Sequence, residues 1–109
     1  MKELVLGLDI GGTNTVYGLV DEESKIWFRD EFRTAMYDSP TEYVAYIARI
    51  IQDELDRHSD YTVKGIGIGA PNGNVHDGTI NYPPNLSWKG IIPLSDYFKE
   101  HFNVPVILT

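Results

Sequence analysis

Asp9, Gly11, Gly12, Thr13 and Asn14 are, by type and spacing, residues that can hold a polyanion. Glycines leave backbone N–H groups accessible, and successive amides in a turn make a concave nest for an anion. Thr13 and Asn14 add side-chain donors, while a carboxylate at a strand end can position Mg2+ through water. Together they would bind phosphate. The same string, Gly-Leu-Asp-Ile-Gly-Gly-Thr-Asn-Thr over 7–15, also suits a plain Gly-Gly hairpin in which Asp9 satisfies turn amides. Neither of the better-known nucleotide loops is present, because GxxxxGK[ST] and GxGxxG both lead into a helix and here a strand follows.

The elements that must position these residues are legible from hydrophobic periodicity. Leu4, Leu6 and Leu8 point to one face of a strand and Val5 and Gly7 to the other, which predicts a central strand covered on both sides. Residues 15–20 are β-branched and aromatic, and Asp21-Glu22-Glu23-Ser24 is turn chemistry, read as a solvated turn. From Lys25 to Arg33 apolar and charged residues alternate as in a half-exposed strand, completing an antiparallel meander. Ser39-Pro40-Thr41-Glu42 combines an N-cap hydroxyl, proline at the first helical position and a glutamate placed to close a capping box. Val44, Ile47, Ala48, Ile51 and Leu55 then recur at helical spacing. Val63–Gly69 reads as a buried strand alternating glycine and isoleucine, and 70–87 as a structured loop with a small hairpin around Asp77-Gly78. A short helix through Leu94, Tyr97, Phe98 and Phe102, ending near Asn103, precedes a last buried strand over Val104–Leu108. The order β-β-β-α-β-α-β, with a loop before the second helix, predicts an α/β domain with a mixed sheet.

Composition narrows the function. At 109 residues the chain has the size of one domain with one core. A formal charge of -7 and the lack of any basic cluster argue against nucleic acid. An anionic small ligand stays open, since backbone amides and a divalent cation can bind it against the net charge. With no cysteine there is neither a disulfide nor a thiolate metal site, and no apolar run has the length of a signal or membrane span, so a cytoplasmic location without membrane association is expected. His58, His76 and His101 are far apart without metal-ligand spacing and read as surface residues. Asp77 reads as a turn residue rather than a base, and Trp88 as an anchor of its loop to the core rather than a sugar-stacking ring.

Four stretches, the opening string among them, carry a resemblance. Asp9-Ile10-Gly11-Gly12-Thr13-Asn14 on a strand-turn-strand resembles the first phosphate motif of the sugar-kinase, actin and chaperone ATPase superfamily. Residues 65–75, Gly-Ile-Gly-Ile-Gly-Ala-Pro-Asn-Gly-Asn-Val, are similar to the glycine-rich strand and G-x-P-G-x-V loop of ROK family sugar kinases, the group that includes many bacterial glucokinases. Pro84-Asn85-Leu86-Ser87-Trp88 resembles that family's N-L-x-W segment, and Val104–Thr109 its next strand. The likeness runs along nearly the whole chain in the family's order.

The resemblance implies an actin-like ATPase, ribonuclease H-like fold and a role as the N-terminal, small domain of a two-domain sugar kinase. It implies that Gly11, Gly12, Thr13 and Asn14 bind phosphates of ATP, that Asp9 positions Mg2+, and that Pro71, Gly73, Asn74 and Asn85 line a hexose site, with glucose the expected sugar and a homo-oligomer the expected assembly. Asn72 departs from the family, standing where many members have glycine directly after the proline. The family's Asn-Asp pair with the general base, its zinc-binding His and Cys residues, its sugar-contacting glutamates and its second phosphate motif have no counterpart in these residues. A fragment without that base is expected to be inactive alone. A non-catalytic sugar-sensing regulator of the same group is the competing expectation; such regulators carry a helix-turn-helix ahead of the fold, and here the first strand begins by Glu3 or Leu4.

Overall fold

The computed structural model describes residues 2–83 and 88–109. In chain order the elements are β1 (Lys2–Ile10), β2 (Asn14–Val20), β3 (Ile26–Arg33), a 3-10 turn (Thr34–Met36), α1 (Pro40–Arg57), β4 (Tyr61–Gly69), β5 (Gly73–Asn74), β6 (Thr79–Asn81), β7 (Ile91–Ile92), α2 (Leu94–Lys99) and β8 (Val106–Leu108). The main sheet has the order β3-β2-β1-β4-β8. β1 is antiparallel to β2 and parallel to β4, and β4 is parallel to β8. The expected meander and mixed sheet are therefore present, with β1 at the centre.

Register explains the core. Leu6 pairs with Leu19 and Ile66, and Leu8 with Tyr17 and Ile68, so continuous apolar rows cross the sheet on one face. Tyr43, Val44, Ile47, Ala48 and Ile51 of α1 are buried, and they lie in one apolar cluster with those rows. Each buried Val or Ile of this stripe is worth roughly 1.5–3 kcal/mol relative to exposure, so the stripe, more than helix propensity, holds α1 in place. Its start is fixed locally: the Ser39 hydroxyl accepts the Glu42 amide at 3.4 Å, and Pro40 opens the first turn.

The opposite face is only half covered. Gly7 pairs with both Gly18 and Gly67, which sets three glycines side by side across β2, β1 and β4. Flanked by Val16, Val20 and Asp9, they floor a depression of about 370 Å3. Val5 and Gly7 are part-exposed here, so β1 is central in the sheet yet not sealed on both sides.

Two expectations are corrected by the geometry around the turns. Asp21 is not a solvated turn residue: its carboxylate accepts the Glu23 and Lys25 amides, both at 2.9 Å, and the Trp27 indole N–H at 2.8 Å. Those donors, the indole first, hold its carboxyl below the usual carboxylate range. Glu22 and Glu23 do face solvent. The second helix is shorter than its apolar spacing suggests, ending at Lys99, after which the Phe98 carbonyl accepts the His101 and Phe102 amides, both at 3.0 Å, in a closing turn. A small second sheet, β5-β6-β7, extends the expected hairpin by one strand. No helix among the described residues is long and apolar enough to cross a membrane.

Candidate functional site at the carboxyl edge of the sheet

β1, β4 and β8 run parallel and adjacent, so their carboxyl ends share one edge. In open α/β sheets that edge is where ligand-binding residues collect. Three of the sequence features emerge there: the Gly11–Asn14 turn after β1, the Pro71–Asn74 loop after β4, and Thr109 after β8. Residues far apart in sequence are thereby brought to one place.

The first turn is open. Gly11 donates its amide to the Asn14 carbonyl at 2.9 Å, continuing the β1–β2 ladder around Gly12 and Thr13. In an ordinary two-residue hairpin Asn14 would return a bond to the Gly11 carbonyl. That bond is not formed, and among the described residues the Gly12 and Thr13 amides have no protein acceptor either. Gly12, Thr13 and Asn14 are all exposed. The glycine at 11 is required sterically, because a Cβ there would lie 2.8 Å from the Asn14 carbonyl oxygen. The turn is thus a hairpin in which the Gly12, Thr13 and Asn14 amides have no protein acceptor among the described residues.

Support for this turn comes from beneath it. The Gly11 carbonyl accepts the Thr34 hydroxyl at 2.8 Å, and the Thr34 amide donates to the Thr13 carbonyl at 2.9 Å. Thr34 Oγ1 lies 2.9 Å from Thr15 Oγ1, which in turn lies 2.7 Å from the Tyr43 hydroxyl. All three side chains are buried, and burial pushes the Tyr43 hydroxyl above the usual phenol range. These three residues form no motif in the sequence. One signal was available: Thr15 alternates with Tyr17 and Leu19 on the core face, and a buried hydroxyl needs a partner.

Asp9 is exposed at the end of β1, on the open face of the sheet. It sits across from Gly69, where a Cβ would be 3.9 Å from Asp9 Oδ1.

The second loop is tied to β8. Ala70 donates to the Thr109 carbonyl at 3.0 Å, and Thr109 to the Ile68 carbonyl at 2.9 Å. Gly73 abuts the same residue so closely that a Cβ would stand 2.5 Å from the Thr109 oxygen. Asn74 and Pro71 are part-buried, and the Asn74 carboxamide oxygen accepts the His76 amide at 2.9 Å. Asn72 has φ 55°, a left-handed conformation that suits glycine and that asparagine tolerates better than most residues. Asn85 lies outside the described residues.

Other candidates fall where the sequence placed them. Asp77 Oδ1 accepts the Thr79 amide at 3.1 Å and hydroxyl at 2.6 Å, as a turn residue does. Trp88 is 3% exposed, donates its indole N–H to the Tyr37 carbonyl at 3.2 Å, and packs edge-on against Tyr43 at 4.6 Å, an anchor in the core. His58, His76 and His101 are exposed, His58 stacking on Tyr61.

The sheet order and crossovers define the actin-like ATPase fold. The model of the ROK family matches residues 5–109, and the chain belongs to that family. It is 29% identical over 106 residues to a glucokinase of Streptomyces coelicolor, a match covering 96% of this chain and 32% of the relative. A ROK family glucokinase from Streptomyces griseus, solved in complex with glucose and AMPPNP, superposes with a TM-score of 0.76 at 28% identity, over 96% of this chain and 32% of that one. A ROK family transcriptional regulator, a homologue of the E. coli MLC protein, superposes with a TM-score of 0.79 over 100% of this chain and 28% of its own; at 14% identity it shares the fold alone. The chain thus spans about a third of the length of the curated relatives it matches.

Proposed function

We propose that these residues form the N-terminal, small domain of a two-domain, ATP-dependent hexose kinase that converts glucose to glucose 6-phosphate. The observation that carries this reading is the open turn, with exposed and unbonded amides at Gly12 and Thr13 following the exposed Asp9 at the end of β1, on the edge that also bears the Pro71–Asn74 loop. The glucose and AMPPNP complex of a 28% identical relative supports the choice of ligands.

Phosphoryl transfer asks little covalent chemistry of a protein; it needs the acceptor hydroxyl in line with the γ-phosphate, charge neutralisation, and a carboxylate to take the proton. In this reading Gly11, Gly12, Thr13 and Asn14 hold the phosphates of ATP, while Asp9 positions Mg2+, which supplies charge neutralisation when bound. Pro71, Gly73, Asn74 and Asn85 line the sugar site. The proton acceptor lies outside these residues, as does the family's zinc site. The protein works in the cytoplasm, in carbohydrate metabolism.

The test is ATP-dependent phosphorylation by the full-length protein of glucose, fructose, mannose and N-acetylated hexosamines. Turnover is expected with glucose, and none from the 109-residue chain alone. A full-length protein inert towards every one of these sugars refutes the reading. If it binds glucose without turnover, it is a sugar-sensing regulator instead.

A further inference from the structure

Each hydroxyl in the Tyr43–Thr15–Thr34 row has one proton, and that fixes the direction of every bond. Thr34 gives its proton to the Gly11 carbonyl, a group that can only accept. Thr15 must therefore donate to Thr34, and Tyr43 to Thr15. The row is polarised from α1 through β2 to the turn, and it ends on the carbonyl that an ordinary hairpin would give to the Asn14 amide. Here that carbonyl is engaged by Thr34 from below, and the Asn14 amide is left without it.

We propose that Thr34 is a positioning residue for nucleotide binding: its hydroxyl draws the Gly11 carbonyl beneath the turn and off the line of the Asn14 amide, which keeps the turn from closing and leaves that amide free for a phosphate oxygen. This rests on the reading of the turn as an ATP-phosphate site. Thr34 touches no ligand itself. Its effect passes through one carbonyl, and without its hydroxyl the Asn14 amide closes onto Gly11.

The experiment compares the full-length wild type with full-length Thr34→Val, which keeps the shape and removes the hydroxyl. The readouts are hydrogen exchange of the Asn14 amide without nucleotide, and amide shifts on titration with Mg·ATP. In Thr34→Val, Asn14 exchange slows by tenfold or more, and Mg·ATP binds about tenfold more weakly, as expected for one charge-assisted hydrogen bond. Thr34→Ser restores both. Ser39→Ala weakens the N-cap of α1 without touching the turn, and it lowers stability while moving neither readout. Should valine prevent folding, Thr34→Ala is measured in its place. Unchanged exchange and affinity in the hydroxyl-less variant, with wild type binding normally, overturn the positioning role. Failure of wild type itself to bind Mg·ATP at residues 12–14 overturns the nucleotide reading beneath it.

Discussion

Gly11 and Gly7 lie four residues apart on either side of the end of one strand, yet alanine should act on them in opposite senses. At Gly11 the new methyl would sit 2.8 Å from the Asn14 carbonyl oxygen, a backbone atom that cannot rotate away. Either the turn shifts or the 2.9 Å bond from Gly11 to that oxygen breaks. Losing the bond costs about 1 kcal/mol, and residual crowding a further 1–3 kcal/mol, for a total of about 2–4 kcal/mol. At Gly7 nothing lies within 4 Å of the added carbon. There alanine removes the excess freedom of glycine in the unfolded chain and should stabilise by roughly 0.5–1 kcal/mol. For a chain of this size the two melting temperatures should separate by about 10–20 °C, Gly11→Ala lower and Gly7→Ala at or above wild type. Thermal unfolding followed by circular dichroism reads this directly. Coincident melting of the two variants would refute the claim that the turn, rather than glycine content, sets the requirement at 11.

Other perturbations have defined outcomes. Asp9→Asn should reduce hexose phosphorylation by the full-length protein at least a hundredfold while moving the melting temperature little, because the carboxylate is exposed; retained activity at saturating Mg2+ would exclude its metal role. Asp21 is depressed chiefly by its bond to the Trp27 indole, so its stabilisation is present above the ordinary carboxylate range and disappears as pH falls through the folded value. An acid-unfolding curve that Asp21→Asn leaves unchanged would contradict this. Burial raises Tyr17 and Tyr43 far above the phenol value of 10.0, so above that pH the unfolded chain loses protons that the folded one keeps, and stability falls as pH rises. An ultraviolet titration should leave two of the seven tyrosines protonated until unfolding; all seven ionising reversibly near pH 10 would disprove it. The half-covered glycine face should make the isolated chain self-associate at high concentration, and sedimentation as a clean monomer would count against that.

The long elements were readable because each carries its own period. Leu4, Leu6 and Leu8 announce a strand, and Val44, Ile47, Ala48 and Ile51 a helix, without knowledge of anything else in the chain. β5 and β7 have two residues each, too few for any period, so only pairing with β6 defines them. The site divides in the same way. Asp9 and the turn residues were visible as types at a spacing, whereas Thr15, Thr34 and Tyr43 are separated by 19 and 28 positions and meet only through sheet register and helix docking. The acidic run misled because charge alone suggested solvent, and what decided the place of Asp21 was a tryptophan six residues on.

Trp27 and Trp88 are the only tryptophans, one beside Lys2 at the start of β1 and the other against Tyr43 of α1. Trp27 lies part-exposed beneath the ammonium groups of Lys2 and Lys25, at 4.9 and 4.2 Å. Trp88 is sealed against Tyr43, the first hydroxyl in the row that ends under the Gly11–Asn14 turn. The chain therefore carries two optical probes in unlike surroundings, one solvated and charged, the other apolar. Replacing either by phenylalanine leaves a single emitter, and the difference between the two unfolding curves would tell which of the two surroundings gives way first.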